Sequence, residues 1–175
     1  MKKLTIALLT VAVSATGAFA GTPAKTFKET VAPAPECKFR DQELQVDAFG
    51  AGVFSNVAPG WGGGLGVNYF FTKYIGVGFE QDLVGRVGGN ASWASIGNFF
   101  LRYPICSLSL APYAMVGGGA GYGPNQLGHG FGHVGGGLEY RFTNNIGLFS
   151  DARYVFSSEE PENAVLTRAG LRFAF

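Results

Sequence analysis

The 175-residue sequence has few charged residues and almost no excess of basic over acidic ones. Charged residues make up 14%, and 13 basic side chains stand against 12 acidic ones, so no basic surface is expected that would attract nucleic acid. The hydrophobic fraction, 47%, is too high for a disordered chain. The composition therefore excludes nucleic-acid binding and favours a folded domain.

A long apolar run that could form a membrane-spanning helix is missing after the N-terminal segment. The longest stretch without charged residues, 103–138, contains Pro104, Pro112, Pro124 and many glycines. Proline and glycine break helices, so this stretch cannot cross a membrane as one. The sequence therefore excludes a helical membrane protein.

The first twenty residues have the three parts of a secretory signal peptide. Two lysines precede the apolar stretch 4–13, and an A-x-A site ends at Ala20, directly before Gly21. A membrane anchor would need ~20 apolar residues, about twice the length of this stretch. We expect cleavage between Ala20 and Gly21. The residue directly after that site is not a cysteine, which argues against a lipoprotein. The two cysteines further along the chain enter an oxidising compartment.

The rest of the chain divides into a tether and a region of regular alternation. Residues 21–42 are rich in proline and charge and show no periodicity, which predicts an extended tether. Beyond them, apolar and polar side chains alternate with period two, as in β-strands with two different faces. Eight strands are predicted, at 44–54, 61–71, 74–84, 91–103, 107–117, 130–141, 145–156 and 165–175.

The connections between these strands are predicted to alternate between short turns and longer loops at 55–60, 85–90, 118–129 and 157–164. An exported chain with apolar strand faces and no spanning helix can satisfy its backbone hydrogen bonds in a membrane only as a closed barrel. Aromatic residues near both strand ends match the two girdles of such a barrel. The predicted fold class is therefore all-β: an eight-stranded antiparallel transmembrane β-barrel with up-and-down meander order. The architectural alternative is a secreted soluble sandwich or lipocalin-like barrel.

The signal peptide, the strand count, the turn motif Y-F-F-T-K-Y-I-G-V-G and the final strand ending L-R-F-A-F resemble small outer-membrane barrels of the OmpA/OmpX type. The resemblance covers 43–175 and implies a barrel domain in the outer membrane, surrounded by its lipid and preceded by a periplasmic tether. It also implies that Leu171, Phe173 and Phe175 form the signal read by the outer-membrane assembly machinery.

If Leu171 and Phe173 face lipid, the alternate side chains face the barrel interior. That parity places five acids and five arginines inside: Asp47, Glu80, Asp82, Glu139, Asp151, Arg102, Arg141, Arg153, Arg168 and Arg172. The interior of an eight-stranded barrel is only just wide enough for side chains. We therefore expect a packed, charge-balanced interior, with Asp47 as the partner of Arg172 because the first strand must pair with the last.

The predicted function is a structural or surface-interaction role through the loops, with a possible surface ligand. Two alternatives remain open: a narrow ion or small-solute pore lined by the same charged groups, and a lipid-modifying outer-membrane enzyme. The only histidines, His129 and His133, have no adjacent serine, and their spacing is awkward for metal binding on a strand. We therefore expect no catalytic site, no cofactor and no metal.

The two cysteines, Cys37 and Cys106, are both predicted at the end of the barrel where the chain enters it. About six extended residues reach ~20 Å, at ~3.3–3.6 Å each, which would cross the mouth of a small barrel. A Cys37–Cys106 disulfide is therefore expected to hold the tether under the barrel as a partial lid. The alternative is two independent thiols.

Overall fold

The computed structural model describes residues 36–55, 59–86, 91–123, 126–157 and 163–175, without the side chains of 86, 126–128 and 157. The predicted signal peptide, its cleavage site at Ala20 and Gly21, and residues 21–35 of the tether lie outside the described residues.

Eight antiparallel strands form a closed barrel in sequence order. The strands are β1 (Glu43–Ser55), β2 (Gly60–Phe70), β3 (Ile75–Arg86), β4 (Ala91–Arg102), β5 (Leu110–Gly123), β6 (Gln126–Arg141), β7 (Ile146–Ser157) and β8 (Ala164–Ala174). The pairing of β1 with β8 closes the sheet and places Asp47 opposite Arg172. The predicted fold class, an up-and-down eight-stranded barrel, is confirmed.

The barrel has a terminal end, where β1 begins and β8 ends, and an opposite end. Three connections lie at the terminal end, at 71–74, 103–109 and 142–145, and the second contains a 3₁₀ turn, Cys106–Leu108. Among the described residues, no helix is both long and apolar enough to cross a membrane.

The predicted contrast between short turns and long loops is wrong. Four connections lie at the opposite end, at 56–59, 87–90, 124–125 and 158–163, so they are no longer as a group than those at the terminal end. The strands continue further toward the opposite end than the alternation of side chains indicated.

The largest error concerns β5 and β6. The prediction ended the fifth strand at 117 and treated 118–129 as a loop, but the two strands pair from Leu110 and Tyr140 up to Gly123 and Gln126, with one irregularity near Gly121. This region is rich in glycine, which shows no apolar–polar alternation and is usually depleted in strands. Here it allows close packing, since a Cβ at Gly119 would lie 2.1 Å from the carbonyl oxygen of Ser95.

Candidate functional site

The candidate site is the interior of the barrel, which holds the buried charged side chains of the described residues. All ten charged residues predicted to face inward are buried there: Asp47, Glu80, Asp82, Arg102, Glu139, Arg141, Asp151, Arg153, Arg168 and Arg172. They lie on alternate positions of six strands, so the period-two pattern brings them together. The other face of each strand carries the exposed apolar side chains.

Three of these residues form a layer near the terminal end together with a fourth charged residue, Glu43. Arg102 Nη1 donates to Glu43 Oε1 at 3.1 Å and to Glu139 Oε2 at 3.4 Å. Arg141 Nη2 donates to Glu43 Oε1 at 2.7 Å, and its Nε donates to Glu139. Each carboxylate is thus shared by both arginines. Because all four side chains are fully buried, the charges neutralise one another away from water.

Arg172 connects this layer to β1. Its Nε and Nη2 donate to the two oxygens of Asp47 at 2.7 and 2.6 Å, in the two-point geometry that suits a guanidinium and a carboxylate. Its Nη1 donates to Glu139 Oε2 at 2.8 Å. Asn68 Nδ2 also donates to Asp47 Oδ2 at 2.8 Å. The partner predicted for Arg172 from strand pairing is the one observed.

A second layer lies nearer the opposite end. Arg168 holds Asp151 with two hydrogen bonds of 3.0 and 2.7 Å and donates to Glu80 at 2.6 Å. Arg153 Nη2 donates to Glu80 Oε2 at 3.0 Å. The Tyr113 hydroxyl donates to Asp151 Oδ2 at 2.9 Å. This layer therefore links β3, β5, β7 and β8 across the interior.

Two acidic residues depart from the predicted charge balance. Glu43 was placed outside the first strand, but β1 begins with it and it is 1% exposed. Among the residues whose side chains the structure describes, the buried charges are therefore six carboxylates and five arginines, and the expectation of five against five is wrong. Asp82 is 2% exposed, and its Oδ1 is buried without a hydrogen-bond partner among the described residues. A strand boundary placed one residue earlier would have included Glu43.

Aromatic rings fill the space between the charged layers. Phe49 and Phe149 pack edge to face with centroids 6.1 Å apart. The Arg168 guanidinium lies 4.4 Å from the Phe49 ring, and that of Arg172 lies 4.6 Å from the Phe149 ring. Glycines complete the packing: a Cβ at Gly137 would lie 2.4 Å from a backbone oxygen. Gly64 and Gly135 likewise leave no gap for a side chain, because neighbouring backbone oxygens already occupy the space.

The entering chain closes the terminal end of this interior. We call residues 36–42 the strap. Cys37 forms a disulfide with Cys106, as predicted. Phe39 is 2% exposed and lies under the charged layer, with its ring centre 5.0 Å from the Arg102 guanidinium and 5.2 Å from that of Arg141. The strap is therefore packed into the mouth of the barrel.

The outer surface is apolar and carries two rings of aromatic side chains. Leu65 is 64% exposed and Phe79 57% exposed, at the middle of their strands. Exposed aromatics at the opposite end are Phe54, Trp61, Trp93, Tyr122, Tyr154 and Phe156, and those at the terminal end are Tyr69, Phe71, Tyr74, Tyr103, Tyr140 and Phe142. An apolar surface this extensive is unfavourable in water and suits a lipid bilayer.

The residues of the predicted assembly signal lie on this outer face. Leu171 is 43% exposed and Phe175 65% exposed, and Phe173 has the same parity on β8. The histidines differ from expectation in position, since His129 lies in β6 rather than in a loop. His133 faces the interior and is 1% exposed. Among the described residues, no group of three His, Cys, Asp or Glu side chains could hold a metal ion.

No known protein family matches the sequence, and no curated protein sequence does. Solved structures do. The N-terminal β-barrel domain of Pseudomonas aeruginosa OprF superposes with a TM-score of 0.62 at 17% identity, over 78% of this chain and 99% of that one. Neisserial surface protein A gives 0.61 at 14%, over 76% and 96%. Ail, the attachment invasion locus protein of Yersinia pestis, gives 0.54 at 15%, over 77% and 99%.

The chain has the fold of the small outer-membrane barrels. At these identities the likeness concerns the architecture alone. The chemistry available to the interior of this barrel follows from its own contacts. Ten of the eleven charged side chains buried in the described interior form ion pairs with one another, so their hydrogen bonds are made inside the barrel.

Proposed function

We propose that this chain is an outer-membrane barrel with a closed, hydrogen-bonded interior, and that it has a structural or surface-interaction role. The observation that carries the proposal is the sharing of every buried arginine between two carboxylates across the interior. A water-filled pore would leave such groups solvated. In this proposal the interior acts as a polar core and no ion passes through it.

The location in the outer membrane is supported by the exposed apolar belt and the predicted signal peptide. Solved structures of similar fold are described as those of outer-membrane or surface proteins, which supports the same location. We further propose that the terminal end faces the periplasm. The polar tether 21–42 precedes β1 at that end, and moving it across the hydrocarbon core would be costly. The connections at the opposite end then face outward and would meet any surface ligand.

Within this proposal, outer-membrane lipid surrounds the belt and the assembly machinery reads Leu171, Phe173 and Phe175. Their outward direction on β8 makes them accessible before the barrel closes. A catalytic role has no support from the arrangement of His129 and His133. The pore alternative also has no specific support, because inward glycines beside the charged layers, such as Gly64, Gly135 and Gly137, lie against neighbouring atoms.

Planar-bilayer recording of the purified, oxidised protein tests the closed interior. We expect no stepwise conductance, and a known outer-membrane porin recorded in the same bilayer serves as the positive control. Reproducible single-channel steps from the oxidised protein would contradict the proposal.

Epitope insertion tests location and orientation together. An epitope placed after Glu160, in the connection 158–163, should be labelled by antibody on intact cells. The matched insertion after Thr143, at the terminal end, should be labelled only after the outer membrane is permeabilised. The reverse pattern would overturn the orientation. If neither epitope is labelled, on intact cells or on permeabilised ones, the location is overturned.

A further inference from the structure

The strap fills the mouth of the barrel with an aromatic side chain. Phe39 is 2% exposed, although it precedes the first strand. The Arg102 guanidinium lies between two rings, 5.0 Å from the centre of Phe39 and 3.8 Å from that of Phe70. Phe39 also covers Arg141. The charged layer near the terminal end is thus shielded from outside by one residue of the strap.

Few non-covalent contacts hold the strap in this position. Lys38 Nζ donates to the carbonyl oxygens of Arg141 and Phe142 at 3.1 and 3.0 Å. Asp41 Oδ1 accepts a hydrogen bond from the backbone N–H of Lys73 at 2.6 Å. The backbone N–H of Gln42 donates to the carbonyl oxygen of Phe71 at 3.4 Å, and the half-exposed Arg40 has its Nε 3.8 Å from Glu43 Oε2. The contacts to Phe142 and Lys73 are exposed to solvent, where hydrogen bonds contribute little net stability. The strap is therefore held mainly by Phe39 and by the disulfide.

The disulfide joins the strap to the connection between β4 and β5. It links residues 69 positions apart, and both half-cystines are partly exposed. A dithiol can therefore attack either sulfur. Two exchange steps transfer two electrons and two protons from the dithiol: the Cys37–Cys106 bond breaks, both cysteines become thiols, and the dithiol becomes a cyclic disulfide. The strap then keeps only its non-covalent contacts.

We propose that the strap is a redox-released plug, and that reduction of Cys37–Cys106 opens the terminal end of the interior to water and small ions. The inference rests on the proposed closed interior. Releasing Phe39 uncovers the layer formed by Glu43, Glu139, Arg102 and Arg141. Arg102 Nη2 is buried without a hydrogen-bond partner among the described residues, so water entering the mouth gains a donor at once. The ion pairs of that layer weaken as they become hydrated.

The first measurement follows the strap. Trypsin should cut after Lys38 and Arg40 at least about tenfold faster after treatment of the folded protein with dithiothreitol, the factor that corresponds to ~1.4 kcal/mol of lost docking free energy. Heat-modifiable gel mobility verifies that the barrel itself stays folded. Equal protection of Lys38 and Arg40 in the oxidised and reduced barrels would overturn the proposal.

The second measurement follows the interior. Exchange of the Arg102 and Arg141 guanidinium protons with water, followed by NMR, should be slow in the oxidised protein and at least about tenfold faster after dithiothreitol is added, while the Arg168 protons of the second layer stay protected. The variant Phe39→Ala should show the faster exchange without reduction, because the disulfide remains while the plug is removed. Phe71→Ala, which removes an exposed ring at the same end, is the matched control and should stay closed.

The outcomes separate the two proposals. Strap release without faster exchange of the Arg102 and Arg141 protons, in either the reduced protein or oxidised Phe39→Ala, would overturn the plug and leave the closed interior standing. Current in the untreated oxidised protein would contradict the closed interior. If the reduced barrel loses its folded gel mobility, oxidised Phe39→Ala decides the plug by itself: faster exchange of the Arg102 and Arg141 protons supports it, and unchanged exchange overturns it.

Discussion

Each of the five buried arginines contacts two carboxylates, but the carboxylates are served unequally. Glu139 contacts three arginines, while Glu43, Glu80 and Asp151 each contact two buried ones. Asp47 has Arg172. Asp82 has none among the described residues. Removing one partner of a buried pair leaves a charge without compensation, whereas removing a carboxylate that has no partner relieves a cost.

The substitutions Glu80→Gln and Asp82→Asn test this inequality on one strand. Glu80→Gln should lower the free energy of unfolding by about 3–5 kcal/mol, because Arg153 and Arg168 each lose a charged partner. Asp82→Asn should leave it unchanged or raise it. Urea unfolding in lipid vesicles, followed by the fluorescence of Trp61 and Trp93, measures both. A comparable loss in the two variants would contradict the assignment of Asp82 as unpaired.

At the scale of single elements, β5 shows how far a strand can depend on the absence of side chains. Its last seven residues, 117–123, contain five glycines, and the inward ones differ in the space around them. A Cβ at Gly119 would overlap the carbonyl oxygen of Ser95 at 2.1 Å, whereas a Cβ at Gly121 would have its nearest atoms at 3.9 Å. Close approach of β4 to β5 is therefore required at one glycine and not at the next inward one.

Alanine substitution distinguishes these two glycines. Gly119→Ala should destabilise the barrel by about 1–3 kcal/mol, since β4 and β5 must move apart to admit the methyl group. Gly121→Ala, in the same strand with the same inward parity, should change stability by less than ~0.5 kcal/mol. The midpoint of urea unfolding provides the comparison. Two equal effects would show that the close approach of β4 and β5 is not the reason for glycine at position 119.

At the scale of the whole molecule, the barrel reverses the usual distribution of polarity, with charge inside and apolar side chains outside. Leu65 lies at the centre of β2 and is 64% exposed, and Tyr103 follows β4 at the terminal end and is 68% exposed. Similar exposure in water would give the two positions similar tolerance to charge. In a bilayer their different depths separate them.

Arginine substitution measures that depth. Leu65→Arg should cost about 2–4 kcal/mol of folding free energy in lipid vesicles, because it places a cation near the bilayer midplane. Tyr103→Arg should cost about 0–1 kcal/mol at the interface. Equal costs at the two positions would argue against a membrane-spanning barrel.

The sequence carries enough information for the barrel and its interior because alternation depends on a single parity. Once the outward direction of Leu171 is assumed, ten of the eleven charged residues buried in the described interior follow, including the Asp47–Arg172 pair. The pattern fails where side chains are small. Glycines of β5 and β6 carry no polarity signal, so paired strand was taken for loop. Glu43 was missed because it is the first residue of β1, and no alternating residues precede it to mark the start of the strand. The place of Phe39 depends on tertiary contacts that no period encodes.

The seam between β1 and β8 has a consequence for how the barrel forms. Asp47 and Arg172 are 125 residues apart in the sequence, and all of the pairing between these two strands spans comparable separations. Such distant contacts make folding slow, because loop-closure entropy is lost before the contacts form. Until the seam closes, β1 and β8 each expose an unpaired edge that can bind another strand. A factor that occupies those edges would govern the yield of folded protein without leaving any trace on the finished barrel.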